Sequence, residues 1–300
     1  MICFQPLELD QKEKYDRLFQ SEGERGCEYS FVNLFIWGRQ QAAFVGEQVV
    51  VFSQFNCKSI YLYPVGFGDK VQAVEAIMAD AEARGIPCRI TGITPEDKEI
   101  LRDLFPGKFI FHYDRDAFDY IYDIHALAEL SGRKYQQKRN HLNRFRDAHP
   151  DFELMPITDD NDHLARFVAQ QWYELRQLAN PHGNFDLELK AIKRALDHRE
   201  KLGMEGLLLM VEGQPVAMTL GSPLSEDTFD VHFEKALDVA DGAYAAINNG
   251  FARYLREKYP RLRWLNREDD LGIEGLRKAK LSYRPDHMIE KIWAEIGYDC

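Results

Sequence analysis

The sequence predicts an α/β fold, mixed α+β, in two tandem domains of similar design. The main reason is that one order of elements occurs twice at similar length: hairpin, strand, helix, strand, helix, strand. A second is that the strand segments alternate apolar and polar residues while the helical segments repeat at helical spacing. The third is size: 300 residues with 45% hydrophobic content suit one large or two medium domains with a sizeable core.

In the first half, Leu9 to Phe19 reads as a helix with one polar face, and Phe31 to Trp37 as an apolar helix or strand. Ala42 to Gln54 reads as a hairpin turning at Gly46-Glu47, followed by a Tyr/Ile-rich strand from Ser59 to Val65. Gly66-Phe67-Gly68-Asp69 leads into a helix from Lys70 to Arg84, stopped by Gly85-Ile86-Pro87. A short strand over Cys88–Gly92 comes next. Pro95 to Phe105 is a helix with Pro at its start and acids in its first turn. Phe109 to Tyr122 holds one or two aromatic strands.

The second half repeats the order. Leu207–Val211 and Val216–Leu220 flank the turn Glu212-Gly213-Gln214-Pro215. Phe229 to Lys235 alternates apolar and polar residues as a half-buried strand, and a helix runs to Lys258 after the turn glycine Gly242. A strand over Arg263–Asn266, a helix over Ile273–Tyr283 and a final strand over Met288–Ile296 complete it. The expected division is 1–125, a bridging segment 126–150, and 151–300. The expected duplication makes Ser59–Val65 and Phe229–Lys235 equivalent.

The net charge of −11 disfavours generic nucleic-acid coating but leaves room for a local basic patch. That patch is Ser131 to Arg146, with Arg133, Lys134, Lys138, Arg139, Arg144 and Arg146 and no acid. Within the run no Asp or Glu offers a partner, so it suits a phosphate or polyanion, with Lys134, Lys138 and Arg139 expected to face a shared cleft. The five scattered cysteines, Cys3, Cys27, Cys57, Cys88 and Cys300, include no Cys-x-x-Cys, and no His pair has zinc-ligand spacing. Reduced thiols, a cytoplasmic location and no structural metal are expected. No signal peptide and no membrane-spanning run is legible.

Gly66-x-Gly68 lacks the third glycine of a dinucleotide loop, and no P-loop or serine-hydrolase elbow occurs. The Gly242 turn is a natural place to hold a carbonyl or anion on outward N–H groups. Asn266-Arg267-Glu268-Asp269-Asp270 sets acids at a strand end, where they can serve acid–base chemistry or bind an amine.

Three stretches together resemble a known family: Gly132-Arg133-Lys134-Tyr135-x-x-Lys138-Arg139-Asn140-His141-x-Asn143-x-Phe145; His232-Phe233-Glu234-Lys235-Ala236 with Gly242-Ala243-Tyr244; and Asn266-Arg267-Glu268-Asp269 continuing to Tyr283. The chain is similar over essentially its whole length to soluble bacterial proteins built on the C-terminal domain of lysylphosphatidylglycerol synthases. The resemblance implies two tandem GNAT-like (N-acetyltransferase-type) domains, and relatives that transfer an aminoacyl group from charged tRNA. A CoA-using GNAT domain has Arg/Gln-x-x-Gly-x-Gly/Ala at the strand-to-helix junction. Here Val239 and Tyr244 stand at the first and last of those positions, so neither half resembles a standard CoA site.

The resulting expectation is an acyl- or aminoacyltransferase, with aminoacyl-tRNA or acyl-CoA as donor and no certain cofactor. The partners would be tRNA or another phosphate-rich donor and a small-molecule, peptide or lipid-headgroup acceptor. The alternatives are a non-catalytic RNA-binding module and an acetyl-CoA-dependent N-acetyltransferase with an atypical loop. Glu234, Asp269 and the backbone at Gly242 are the candidate catalytic groups. Candidate substrate-binding residues are Lys134, Tyr135, Lys138, Arg139 and Asn143 in the basic segment; His232, Lys235, Tyr244 and Asn248 around the turn; and Asn266, Arg267, Glu268, Arg277, Lys280 and Tyr283.

Overall fold

The computed structural model describes residues 1–55, 58–181, 183 and 185–297. The chain begins with β1 (Gln5–Pro6), α1 (Lys12–Phe19), α2 (Phe31–Trp37), β2 (Gln40–Val45), β3 (Gln48–Phe55), β4 (Lys58–Leu62) and β5 (Val65–Gly66). There follow α3 (Lys70–Arg84), β6 (Arg89–Ile93), α4 (Pro95–Leu104), β7 (Phe109–Tyr113) and β8 (Asp119–Asp123). α5 (Ile124–Glu129) and α6 (Gln136–Ala148) lead to β9 (Glu153–Pro156), α7 (Asp162–Ala179), α8 (Asp186–Asp197) and α9 (Arg199–Leu202). The chain ends with β10 (Glu205–Val211), β11 (Gln214–Pro223), β12 (Thr228–Ala236), α10 (Ala243–Lys258), β13 (Trp264–Asn266), α11 (Glu274–Leu281), β14 (His287–Ile289) and β15 (Ile292–Ile296).

One sheet has the order β1-β2-β3-β4-β6-β15-β7, with β5 paired to β3. The other, read from its far edge, runs β9-β10-β11-β12-β13-β8-β14. The two orders correspond strand for strand. α1 and α2 match α7 and α8, α3 matches α10, and α4 matches α11. Each sheet has a parallel pair at the same place, β4 with β6 and β12 with β13, across a helical crossover. The fold is thus two tandem GNAT-like domains, and β4 and β12 are the equivalent strands.

The repeat is exchanged in one strand. β15, the last of the chain, lies between β6 and β7, and β8 lies between β13 and β14. Each domain therefore receives its sixth position from the end of the other half. By contacts the first unit comprises Met1–Asp119, Asp269–Ile273 and Met288–Cys300, and the second comprises Tyr120–Glu268 and Glu274–His287. This interleaved division differs from contiguous segments bounded at 125 and 150. The final strand expected over Met288–Ile296 is in fact two, β14 and β15, in different sheets. Alternation along a strand reports which face is buried, not which neighbour it pairs with.

Local chemistry fixes the element ends. Asp69 caps α3 by accepting from the N–H groups of Val71 and Gln72, and Gly85 ends it in the left-handed conformation. Thr94 and Asp97 form a capping box on α4 with Pro95 in the first turn. The segment expected to be helical over 132–146 is a 3-10 turn at Arg133–Tyr135 running into α6. Val50, Tyr61, Ile77, Ile90, Leu101 and Ile292 are among the core residues of the first unit. Leu208, Met218, Phe229 and Phe251 are buried in the second. No described helix is long and apolar enough to cross a membrane. Cys3, Cys27 and Cys88 are free thiols, and Cys57 and Cys300 lie outside the described residues.

Candidate functional site

The site follows from the register of β12. Its parallel pairing with β13 covers only Thr228–Trp264, Phe229–Leu265 and Asp230–Asn266. β12 then continues to Ala236, while the other chain ends its strand at Asn266. From Val231 onward the two diverge, and side chains span the opening. Glu234 on β12 meets Arg267 at 2.9 Å, and His232 meets Glu268 at 3.1 Å.

A bulge aims these side chains. Opposite β11, Leu220 pairs with Phe233 and Ser222 with Asp230, so three steps on β12 match two on β11. The extra residue breaks the alternation. Phe229 stacks edge-on against Phe251 of α10, and Glu234, five residues on, also reaches α10, through Asn248. In an unbroken strand these two would face opposite ways. Lys235 goes to the other face, where its ammonium lies 2.6 Å from Glu188 and 3.8 Å over the Trp172 ring.

Glu234 is fully engaged. One carboxylate oxygen accepts from Arg267 at 2.9 Å, the other from the Asn248 amide at 3.0 Å. The Arg267 guanidinium lies 5.0 Å from the Tyr283 ring centre and 5.6 Å from that of Tyr122. Its Nη1 is buried and makes no hydrogen bond among the described residues. Lys138, from α6, places its ammonium 3.8 Å over the Tyr283 ring. Burial and the charge of Arg267 pull the Lys138 amine down to about 8, with Glu234 opposing. The attraction of the ring face for a cation also opposes that pull. Burial holds the Tyr283 phenol up at about 12, against the influence of Arg267, so it is protonated at neutral pH. Tyr122 donates to the Lys280 carbonyl at 2.8 Å, and burial raises its phenol further still.

Beside this cluster lies a hydrogen-bond chain: Ser222 Oγ to His232 Nε2 at 2.8 Å, and His232 Nδ1 to Glu268 Oε1 at 3.1 Å. Asp230 approaches Nδ1 at 3.5 Å. Asp230, His232 and Glu268 each offer a potential metal-ligand atom within 4.8 Å of the others. Both ring nitrogens are already engaged, so the arrangement reads first as an imidazole held in place and orienting Glu268. Glu268 has φ 55°, an uncommon value for a residue with a side chain. That backbone turn follows Asn266, whose buried amide oxygen accepts the Glu268 N–H at 2.7 Å.

The structure thus brings together Lys138, His232, Glu234, Asn248, Asn266, Arg267, Glu268 and Tyr283. It puts others to different use. Arg139 donates to the carbonyls of Leu130 and Gly132, the latter at 2.6 Å, tying down the end of α5. Lys280 is buried and donates to the Arg267 carbonyl. Tyr135 is buried under Lys134, which is itself exposed, as are Asn143 and Tyr244. Arg277 is half-buried on α11. Asp269 opens the segment Asp269–Ile273 of the first unit, so the acid delivered to His232 is Glu268. Gly242 adopts φ 88°, and a Cβ there would lie 3.0 Å from the His141 carbonyl and from Phe145 Cβ. The next N–H, of Ala243, donates to Ala240 at 3.1 Å. Ser222 and Tyr122 escaped the sequence reading, because only the strand register brings them to this place.

The chain matches the family described as phosphatidylglycerol lysyltransferase, C-terminal, over residues 19–295. It belongs to that family. A conserved protein of unknown function from Bacteroides thetaiotaomicron is 37% identical, covering 99% of this chain and 100% of its own, with a TM-score of 0.92. L-PGS from Bacillus licheniformis is 17% identical, covering 94% of this chain and 91% of its own, with a TM-score of 0.66. FemX is 10% identical, covering 98% and 97%, with a TM-score of 0.62. The last two show likeness of fold. Among curated proteins none matches. Family and fold together are those of an acyltransferase.

Proposed function

We propose that this chain transfers an aminoacyl group from charged tRNA to an amine or hydroxyl acceptor, with the chemistry between β12 and the Arg267 loop. The observation that carries this reading is the charged pair spanning the divergence, Glu234 with Arg267, beside a half-buried Lys138 and a protonated Tyr283. An ester carbonyl seated here would develop negative charge next to a guanidinium whose Nη1 has no hydrogen-bond partner among the described residues. Glu234 holds that guanidinium, and Glu268, oriented by His232, faces the acceptor. Arg267 thus takes the oxyanion role first assigned to Gly242, whose Cα is covered by α6.

The donor follows from charge. The loop Asp238-Val239-Ala240-Asp241-Gly242 has two carboxylates and no cation, which disfavours a CoA pyrophosphate. Arg133, Lys134 and Arg144 are exposed and suit a longer polyanion. Such a reaction belongs in the cytoplasm, where charged tRNA is found. The acceptor is a small molecule, a peptide or a lipid headgroup presenting an amine or hydroxyl. The test is calorimetry with acetyl-CoA beside a salt series with charged and uncharged tRNA. We expect tRNA binding that weakens steeply with salt and little CoA binding. Micromolar CoA binding without tRNA binding would reject the reading.

A further inference from the structure

Any acceptor amine or hydroxyl must lose a proton as it attacks the carbonyl, so the site needs a group to take it. Glu268, held at Oε1 by His232 Nδ1, is assigned above to orienting the acceptor, and few other described side chains remain. Both oxygens of Glu234 accept hydrogen bonds, from Arg267 and Asn248. Both nitrogens of His232 are engaged, by Ser222 and Glu268. Tyr283 is itself protonated. Lys138 differs. Its ammonium lies over the ring face of Tyr283, and among the described residues it makes no hydrogen bond or ion pair. The groups facing it from other elements are Arg267, Glu234 and Tyr283. The residues one turn away along its own chain are Lys134 and Tyr135 in the preceding 3-10 turn and His141 and Leu142 on α6. The Glu234 carboxylate is already held by Arg267, so only its residual pull and the Tyr283 ring face favour the charged Lys138 amine, against burial and the charge of Arg267.

Resting on the transfer reading above, we propose that Lys138 is the proton acceptor of this site. The acceptor's lone pair forms the new bond to the donor carbonyl carbon while its proton passes to Lys138 Nζ. When the tetrahedral centre collapses, the bond from that carbon to the donor oxygen breaks and its electron pair leaves with the oxygen. Lys138 returns the same proton to that oxygen, so no other reactant is consumed. An amine poised near the working pH suits both halves of this cycle.

The experiment uses the full chain, bulk aminoacyl-tRNA as donor and hydroxylamine as acceptor. The enzyme-dependent rate is followed from pH 6 to pH 10, with Lys138→Arg and Lys138→Met beside the wild type. In parallel, NMR of isotopically methylated lysines follows the titration of the Lys138 amine itself. We expect the wild-type rate to rise to a plateau above about pH 8, tracking the Lys138 titration. Both variants should be slower by about 100-fold and lack that inflection. A wild type that transfers, with variants that keep the inflection, overturns the role of Lys138 alone. So does a Lys138 amine that titrates with the other lysines. A folded wild type with no enzyme-dependent rate overturns the transfer reading, and the proton-acceptor role with it.

Discussion

The two domains share one strand order but differ in what fills the place where their parallel strands part. In the second, β12 and the chain after β13 separate around Glu234, Arg267, His232 and Glu268. In the first, β4 and β6 separate around Tyr29, whose hydroxyl lies 3.1 Å from the Tyr63 carbonyl and 3.0 Å from the Gly92 carbonyl. Tyr29 is buried and closes that gap. The loop before α3 is filled as well. The Glu22 carboxylate accepts from the Gly66 N–H at 3.0 Å and from Lys70 at 2.8 Å, taking the place an anionic ligand would need. Arg25 completes the network, bonding Glu22 at 2.8 Å and Asp97 at 2.7 Å. A third cluster in this domain joins Lys291 to Asp119 at 2.7 Å and to Glu28 at 2.6 Å, with Cys27 Sγ at 3.6 Å. Cys27, Glu28 and Asp119 resemble a metal-ligand set, but the lysine ammonium already sits among them. In the first copy, then, buried charges are matched internally. In the second, Lys138 and Arg267 Nη1 remain unmatched among the described residues. The comparison teaches that a duplicated fold can keep its scaffold in both copies while its buried charges are arranged differently in each.

The sharpest way to break this comparison is to disable each copy in turn. Arg267→Ala should lower transfer from aminoacyl-tRNA to hydroxylamine by about 100-fold or more, because it removes a buried donor next to the reacting carbonyl. Tyr29→Phe should leave the rate per folded molecule within about twofold. Equal losses from both would refute a division of labour.

Stability should show the opposite asymmetry. Arg25→Met leaves Asp97, with a side chain 5% exposed, without its guanidinium partner. The expected cost is about 3–5 kcal/mol in denaturant unfolding, with transfer per folded molecule unchanged. If that variant unfolds at the wild-type midpoint, the first copy is not held by its charge network.

Two left-handed glycines, one in each domain, give a finer contrast. Gly242→Ala must fit a Cβ 3.0 Å from the His141 carbonyl at φ 88° and should cost about 1–3 kcal/mol. Gly85→Ala meets no atom within 4 Å and bears only the strain of φ 65°, so about 1 kcal/mol is expected. Equal costs would show that α6 yields readily.

A further effect is a pH dependence of stability. Lys138 has a folded-state value near 8, below that of an unfolded lysine, so the native state binds fewer protons between the two. The charged amine penalises folding fully below about pH 8, and the penalty fades as pH rises toward about 10.4. Lys138→Met should therefore gain more stability relative to wild type at pH 7 than at pH 10. A constant difference across that range would place the amine in open solvent.

Much of this was legible in the sequence. The α3 helix over Lys70–Arg84 was delimited by its glycine stop and polar start, and the repeated element order announced the duplication. These are local signals, set within a few residues by capping chemistry and by hydrophobic period. Segment 151–206 was not read, so β9, α7 and α8 were missed, although the first domain's order implied their places.

What tertiary structure alone decided is partnership. The exchange of β8 and β15 depends on which sheet edge each strand finds, and a strand's alternation is the same in either sheet. The β12 bulge is a mismatch of register between two strands, invisible in either one, yet it turns Glu234 toward α10. Arg139 and Lys280 read in sequence as cations that could hold a phosphate, and became structural when backbone carbonyls came within their reach. The sequence by itself determined which residues carry charge and where helices and strands begin. The fold determined which of those charges were matched internally and which were not, because matching depends on distances between residues far apart in the chain.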